Sequence, residues 1–300
     1  MNFSEKTKDI NFEEQTFISK LKNYFYKGAF KVSVFDIAIA GIFLSLNIAT
    51  SFIKKFTIMR VIPIQIEFIF YMFYGLVFGI YKGAFLALLA DTLSLLVMGG
   101  IGMWYWVYAI QPPLIAIISS LYFFFFKETK YFKLFMPLII FIAAFTGMML
   151  TYIFHSSADG MLKLNNSKKH PEYISSHIVL YFIIGFLLMF LVAGISFLII
   201  YFKTKKDKYL NYYMIFSLIT FIIIIFRWIL GPISYISFYN YFYAKNSFKS
   251  VGKDYIIILV PILIKTIIVI PVYVVFLTPT FSVVTFISSR QNEILLKSKW

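Results

Sequence analysis

The chain has 300 residues, 61% of them hydrophobic and 21% aromatic, with a mean hydropathy of +0.84, far above what the core of a water-soluble domain requires. It contains no cysteine, which excludes disulfides, thiol catalysis and thiolate metal sites. The net charge of +15 does not mark a nucleic-acid binder, because the basic residues are spread over many short loops with no aromatic-interleaved domain, and the positive-inside bias of a membrane protein accounts for them.

In chain order, residues 1–33 carry mixed charge and no continuous apolar stretch, so they read as a cytosolic lead-in and not as a cleavable signal peptide. Within them, Phe17 to Phe30 presents Lys20, Lys22 and Lys27, either to anionic headgroups or from a disordered tail. Apolar runs of about 20 residues follow. They predict eight spans, near 34–53, 62–80, 82–98, 104–126, 134–155, 179–202, 211–230 and 255–277. The expected fold is all-α, a polytopic membrane bundle of about eight transmembrane helices. Runs such as Val179 to Tyr201 are too long and too uniformly apolar for the strands of a barrel.

The second and third spans are separated by only a few residues around Gly79 to Lys82, which predicts a tight helical hairpin. The polar stretch His155 to Tyr173 is the clearest external loop; His155, His170 and His177 lack the paired spacing of a zinc motif, and a solvated loop is the better reading. With a cytosolic N-terminus, seventeen basic residues fall on the inner side and nine on the outer, a bias that places both termini, including a tail at 281–300, in the cytosol of a multi-pass cell-membrane protein. No Walker motif, GxGxxG, HExxH or GxSxG occurs, so no nucleotide-binding or hydrolytic device is encoded, and no cofactor or metal is expected.

Polar and small residues inside the spans carry what functional signal there is. Gly41, Ser45 and Ala49 recur every four residues in the first span, giving a narrow strip where another backbone can come close. Spacing alone leaves open an internal packing seam or a partner surface. Gly75, Gly79 and Gly83 cross the hairpin and allow its legs to pack tightly. Asp91 lies two turns into the third span, with Thr92 and Ser94 as polar neighbours. An acid at that depth must be satisfied or protonated, as a structural anchor, a ligand or coupling residue, or a proton carrier. Arg227 and Lys265 stand near the outer ends of their spans, where either snorkelling or an outward-facing cavity would satisfy them.

The segments AGIFLSLNIATSF, YGLVFGIYKGAFLALLADTLSLL and VPILIKTIIVIPVYVVFL together resemble the substrate-binding S component of energy-coupling factor (ECF) transporters, most closely the folate-transporter-like group. The likeness covers residues 33–126 and 211–280. It implies a six-helix core within residues 34–280, here enlarged by an inserted pair at 134–202. It also implies that Gly41 and Ser45, with Ala49, form the coupling strip, glycine and serine replacing the alanines common there. The implied partners are a membrane scaffold subunit (T component) and two ATP-binding cassette ATPases, and the implied ligand is a vitamin, folate foremost, captured from outside.

The expected pocket lies at the external ends of the spans. Its candidate residues are Arg60 and Gln65, Trp104, Trp106 and Gln111, Arg227 and Asn240, and Lys265: aromatic walls for a flat heterocycle, basic groups for a carboxylate. Trp104 and Trp106 equally suit interfacial anchors. Glu67 could pair with Arg60 or Lys265. A proton-driven secondary carrier working through Asp91 is the main alternative function. An intramembrane enzyme would need a paired catalytic signature that is absent, and an assembly protein would bind no small molecule.

Overall fold

In lipid the backbone must satisfy its own hydrogen bonds, and helices do so within a single segment. The computed structural model describes residue 25 and residues 32–56, 65–127, 130–155, 161–163, 173–243 and 248–297. Arg60, Pro63, His170 and the expected surface segment at Phe17 to Phe30, apart from residue 25, lie outside the described residues.

The first helix, α1, runs over Val34–Phe56. Ser33 and Asp36 close its start reciprocally: the Asp36 amide donates to Ser33 Oγ (3.0 Å) and the Ser33 amide to Asp36 Oδ2 (3.2 Å), satisfying two donors that the helix cannot. The next element, α2, spans Glu67–Val97 but breaks helical geometry at Gly79, with φ 79° and ψ −168°. That backbone conformation is left-handed, open to glycine and strained for any other residue. The chain reverses there. A continuous helix would separate Tyr71 from Asp91 by about 30 Å, yet the Tyr71 hydroxyl donates to Asp91 Oδ1 at 2.8 Å. The legs, 67–78 and 80–97, pack so closely that a Cβ on Gly83 would lie 2.5 Å from the Tyr74 carbonyl oxygen. The hairpin turn and the role of its glycines thus match expectation.

A short turn at Ile101–Met103 and a one-turn helix α3, Trp106–Ala109, lead into α4, Gln111–Lys127. This helix crosses the hairpin at close range, since a Cβ on Gly75 would sit 2.0 Å from the Ala116 carbonyl oxygen. Then come α5, Lys130–His155, and α6, Ser176–Thr204. Between them a two-stranded antiparallel ribbon pairs Met161–Lys163 with Tyr173–Ser175, adding local order to what reads in sequence as a solvated loop.

Helix α7, Asp207–Ile222, continues through a π-helical turn at Ile223–Ile229 into α8, Leu230–Tyr243. Helix α9 runs over Val251–Lys297 with Pro261, Pro271 and Pro279 inside it. Its halves, Asp254–Thr266 and Ile268–Thr280, are bent by 50°. Pro271 offers no N–H to the carbonyl four residues before it, at position 267, and its ring crowds that carbonyl. Residues 281–297, expected as a tail, continue this helix.

Among the described residues, six helices are long and apolar enough to cross a membrane: Asp36–Lys55, Glu67–Val97, Trp106–Phe125, Tyr131–Phe154, His177–Thr204 and Asp207–Tyr243; the bent pair in α9 makes seven if it forms one span. The expected eight are not reached by this measure. The spans predicted at 62–80 and 82–98 are the two legs of α2, and the described first leg, about 18 Å long, is shorter than a hydrocarbon core of about 30 Å.

The core is centred on the 207–243 segment. Both α5 and α6 pack on α7 more than on each other, through rings such as Phe141 and Phe190 against Phe216. Trp228 is fully buried, edge-on to Phe186, and its Nε1 donates to Thr266 Oγ1 at 3.1 Å.

Candidate ligand-binding cavity

A cavity of about 660 Å³ opens between the hairpin, α4, the 223–243 segment and α9, at the end of the bundle away from Gly79. Its size falls in the range of small-molecule sites, about 300–1,000 Å³. Phe68, Tyr71, Tyr108, Phe226 and Tyr235 supply aromatic wall. The polar groups come from separate elements: Lys54 from α1, Glu67 and Asp91 from opposite legs of the hairpin, Arg227 from the π turn and Lys265 from α9.

The π turn is a local consequence of sequence. Pro232 has no N–H to give the Trp228 carbonyl. The Tyr255 hydroxyl donates to that oxygen instead at 2.8 Å, so a buried acceptor is satisfied from a neighbouring helix. The widened turn carries Arg227 inward. Its side chain is 6% exposed, lies beside the Tyr273 hydroxyl, and has Nη1 buried with no hydrogen-bond partner. Snorkelling to headgroups is therefore not how Arg227 is accommodated; a cation left partly unsatisfied in the bundle interior is costly, and π turns recur at functional sites.

Glu67 pairs with Lys54, Nζ to Oε1 at 2.7 Å, and not with Lys265, one of the two partners the sequence offered; the other, Arg60, lies outside the described residues. Its second oxygen, Oε2, is buried without a partner. Asp91 takes its hydrogen bond from Tyr71, while Thr92 turns back to the Leu88 carbonyl (2.9 Å) and Ser94 meets Ser51 of α1 (3.4 Å). The polar neighbours in sequence are thus not Asp91's partners in space. Tyr273 ties the site together, donating to the Gln65 carbonyl. Lys265 lines the cavity with no ion pair to a described residue.

Of the sequence candidates, Gln65, Gln111, Arg227, Lys265 and Asp91 meet in this cavity. Gln111 is buried and donates from Nε2 to Ser234 Oγ at 2.8 Å. Trp104 and Trp106 do not line it; they are 43% and 61% exposed, positions suited to interfacial anchoring. Asn240 is also absent from the lining, because its side-chain amide is spent on Lys249: Nδ2 donates to the Lys249 carbonyl (2.8 Å) and Oδ1 accepts from its amide (2.9 Å). Arg60 falls outside the described residues. Tyr108, within the stretch MWYWVYAIQ expected at the pocket, and Tyr235 do line it, whereas Tyr71 was missed, since a tyrosine in an apolar span carries no signal that separates wall from packing.

Gly41, Ser45 and Ala49 are exposed along α1. A Cβ on Gly41 would meet nothing within 4 Å, so the strip is not an internal packing seam among the described residues. No group of three or more metal-ligating side chains occurs among the described residues. No family model, curated protein or solved structure matches this chain.

Proposed function

We propose that this chain is a membrane-embedded substrate-binding subunit of an ECF-type importer. It captures a small anionic organic molecule, a vitamin such as folate, for ATP-driven uptake by a scaffold subunit and two ATPases in the cell membrane. The observation that carries the reading is the aromatic-walled cavity into which Arg227 brings a buried, unpartnered Nη1, an arrangement fitted to a carboxylate. The open strip on α1 supports a docking partner, and the lack of nucleotide-binding motifs assigns the energy source to other subunits. In this reading the chain catalyses no reaction itself. It is an eight-span bundle: six core spans, plus α5 and α6 as the inserted pair, with both termini in the cytosol.

Purification from native membranes in mild detergent, with mass spectrometry of stoichiometric partners, tests the assignment. A membrane scaffold with two ATP-binding subunits is expected. Gly41→Leu and Ser45→Leu together should reduce their recovery while leaving ligand affinity unchanged, because no atom lies where the new side chain at 41 begins. Recovery without any ATPase, from membranes where such complexes survive, overturns it. A secondary carrier would then be favoured by the Tyr71–Asp91 bond inside the cavity, and Asp91→Asn would abolish proton-coupled uptake.

A further inference from the structure

The charges that meet in the cavity are sorted by element. Both carboxylates stand on the hairpin, Glu67 on its first leg and Asp91 on its second, whereas Arg227 and Lys265 stand on the two C-terminal segments that face it. Lys54 on α1 engages one Glu67 oxygen, which leaves Glu67 Oε2 buried and unpartnered with Asp91 as a second acid in the same wall. On the other side, Arg227 Nη1 is buried and unpartnered. Neither Arg227 nor Lys265 has a carboxylate within ion-pair distance among the described residues. Apart from the Lys54–Glu67 pair, opposite charges thus share one cavity without neutralising each other, each side retaining a buried atom with nothing to bind.

Charged groups whose buried atoms lack a partner are expensive, and a ligand that carries both complementary charges offsets both costs at once. We infer that the cavity is a two-pole site for an aromatic zwitterion, an amino-acid-like or small peptide-like molecule. Its protonated amine bonds Glu67 and Asp91 and its carboxylate bonds Arg227 and Lys265, while the ring lies against walls such as Tyr71 and Tyr235. This rests on the cavity being the substrate site proposed above; it keeps the carboxylate of that ligand but replaces a simple anion such as folate with a molecule that also carries a cationic pole, which folate lacks.

The test uses the full chain in lipid nanodiscs and isothermal titration with five probes: L-tryptophan, the dipeptide phenylalanyl-glycine, tryptamine, indole-3-propionate and folic acid. Tryptophan or the dipeptide should bind about tenfold more tightly than either one-pole indole, the loss expected when a charge-assisted bond is removed. Lys265→Met should remove that advantage over tryptamine and leave tryptamine binding unchanged. Asp91→Asn should remove the advantage over indole-3-propionate instead. Arg227→Gln should act like Lys265→Met; because Arg227 is buried and its loss can unfold the bundle, the half-buried Lys265 keeps the test decisive.

Binding of a one-pole probe as tight as that of both zwitterions overturns the inference, as does binding by none of the five. Tightest binding by folic acid overturns it while leaving the importer reading intact. Loss of the ATPase partners with zwitterion binding preserved separates the two in the opposite direction.

Discussion

In the first span, Asp36–Lys55, 11% of the residues in the most apolar stretch are buried, whereas in Asp207–Tyr243 the share is 72%. Both are apolar enough to cross a membrane, so hydropathy does not separate them. Lipid tails are as apolar as leucine, and an exposed apolar face there costs little. What places a helix in the bundle is close approach and polar pairing. The 207–243 segment has both in depth: interlocked rings around Phe216 and Trp228, and the Trp228–Thr266 and Tyr255–Trp228 bonds. Helix α1 packs chiefly on the hairpin. It is held by an ion pair near each end, Asp36–Lys82 and Lys54–Glu67, and by a Phe43–Phe73 contact at 4.7 Å. One segment is built as core, the other as a strap whose outer face stays open.

The largest break in this contrast should come from glycine. Gly75→Val places a side chain 2.0 Å from the Ala116 carbonyl oxygen, backbone that cannot yield without separating the hairpin from α4, and severe overpacking of this kind destabilises strongly. We expect loss of monodisperse protein on size-exclusion chromatography. Gly41→Leu on the strap should elute like the parent. A normal profile for Gly75→Val would show that the helices are not in contact there.

Trp228→Ala comes next. It removes a fully buried ring and the bond to Thr266, a loss of about 3–5 kcal/mol for core aromatics, read as a fall in unfolding free energy in mixed micelles. Lys54→Met should cost less, about 1–3 kcal/mol, between the values for exposed and buried pairs, because both side chains keep some solvent contact and Glu67 is left without a counter-charge. Adding Glu67→Gln to Lys54→Met should recover most of that loss. If the double variant is no better than the single, the pair is not what tethers this end of α1.

How far these features could be read from sequence differs between the same two regions. The hairpin was legible because glycine at 75, 79 and 83 has few uses in an apolar run other than close approach and a turn. The α1 strip was legible as a strip, but not as a free surface, since spacing is blind to what packs on it. Arg227 was legible as a cavity candidate and not as a buried one: its inward aim depends on a π turn, on Pro232 and on a hydroxyl from Tyr255, 28 residues away in the chain. Asn240 looked like a ligand group because the sequence does not reveal that the Lys249 backbone claims its amide. For Glu67 the sequence offered Arg60 or Lys265 and passed over Lys54, because spacing along the chain does not show that a lysine 13 residues away meets it in space.

The smallest expected effect sharpens the description of α1 as a strap. Asp36 and Lys82 pair at 2.9 Å, but both side chains are about a quarter exposed and stand at the hairpin-turn end of the bundle, where water and salt screen them. Asp36 also caps α1 through Ser33, so removing it would weaken the cap as well as the pair; Lys82→Gln removes the pair and leaves the cap. That change should cost no more than about 1 kcal/mol and should shrink further at high ionic strength, while the Lys54→Met loss at the cavity end persists in salt. Equal losses at the two ends would mean that α1 is clamped symmetrically. The expected inequality leaves the end that carries Glu67 as the firmer hold, so that any group engaging Glu67 from within the cavity acts directly on the tether of the strap.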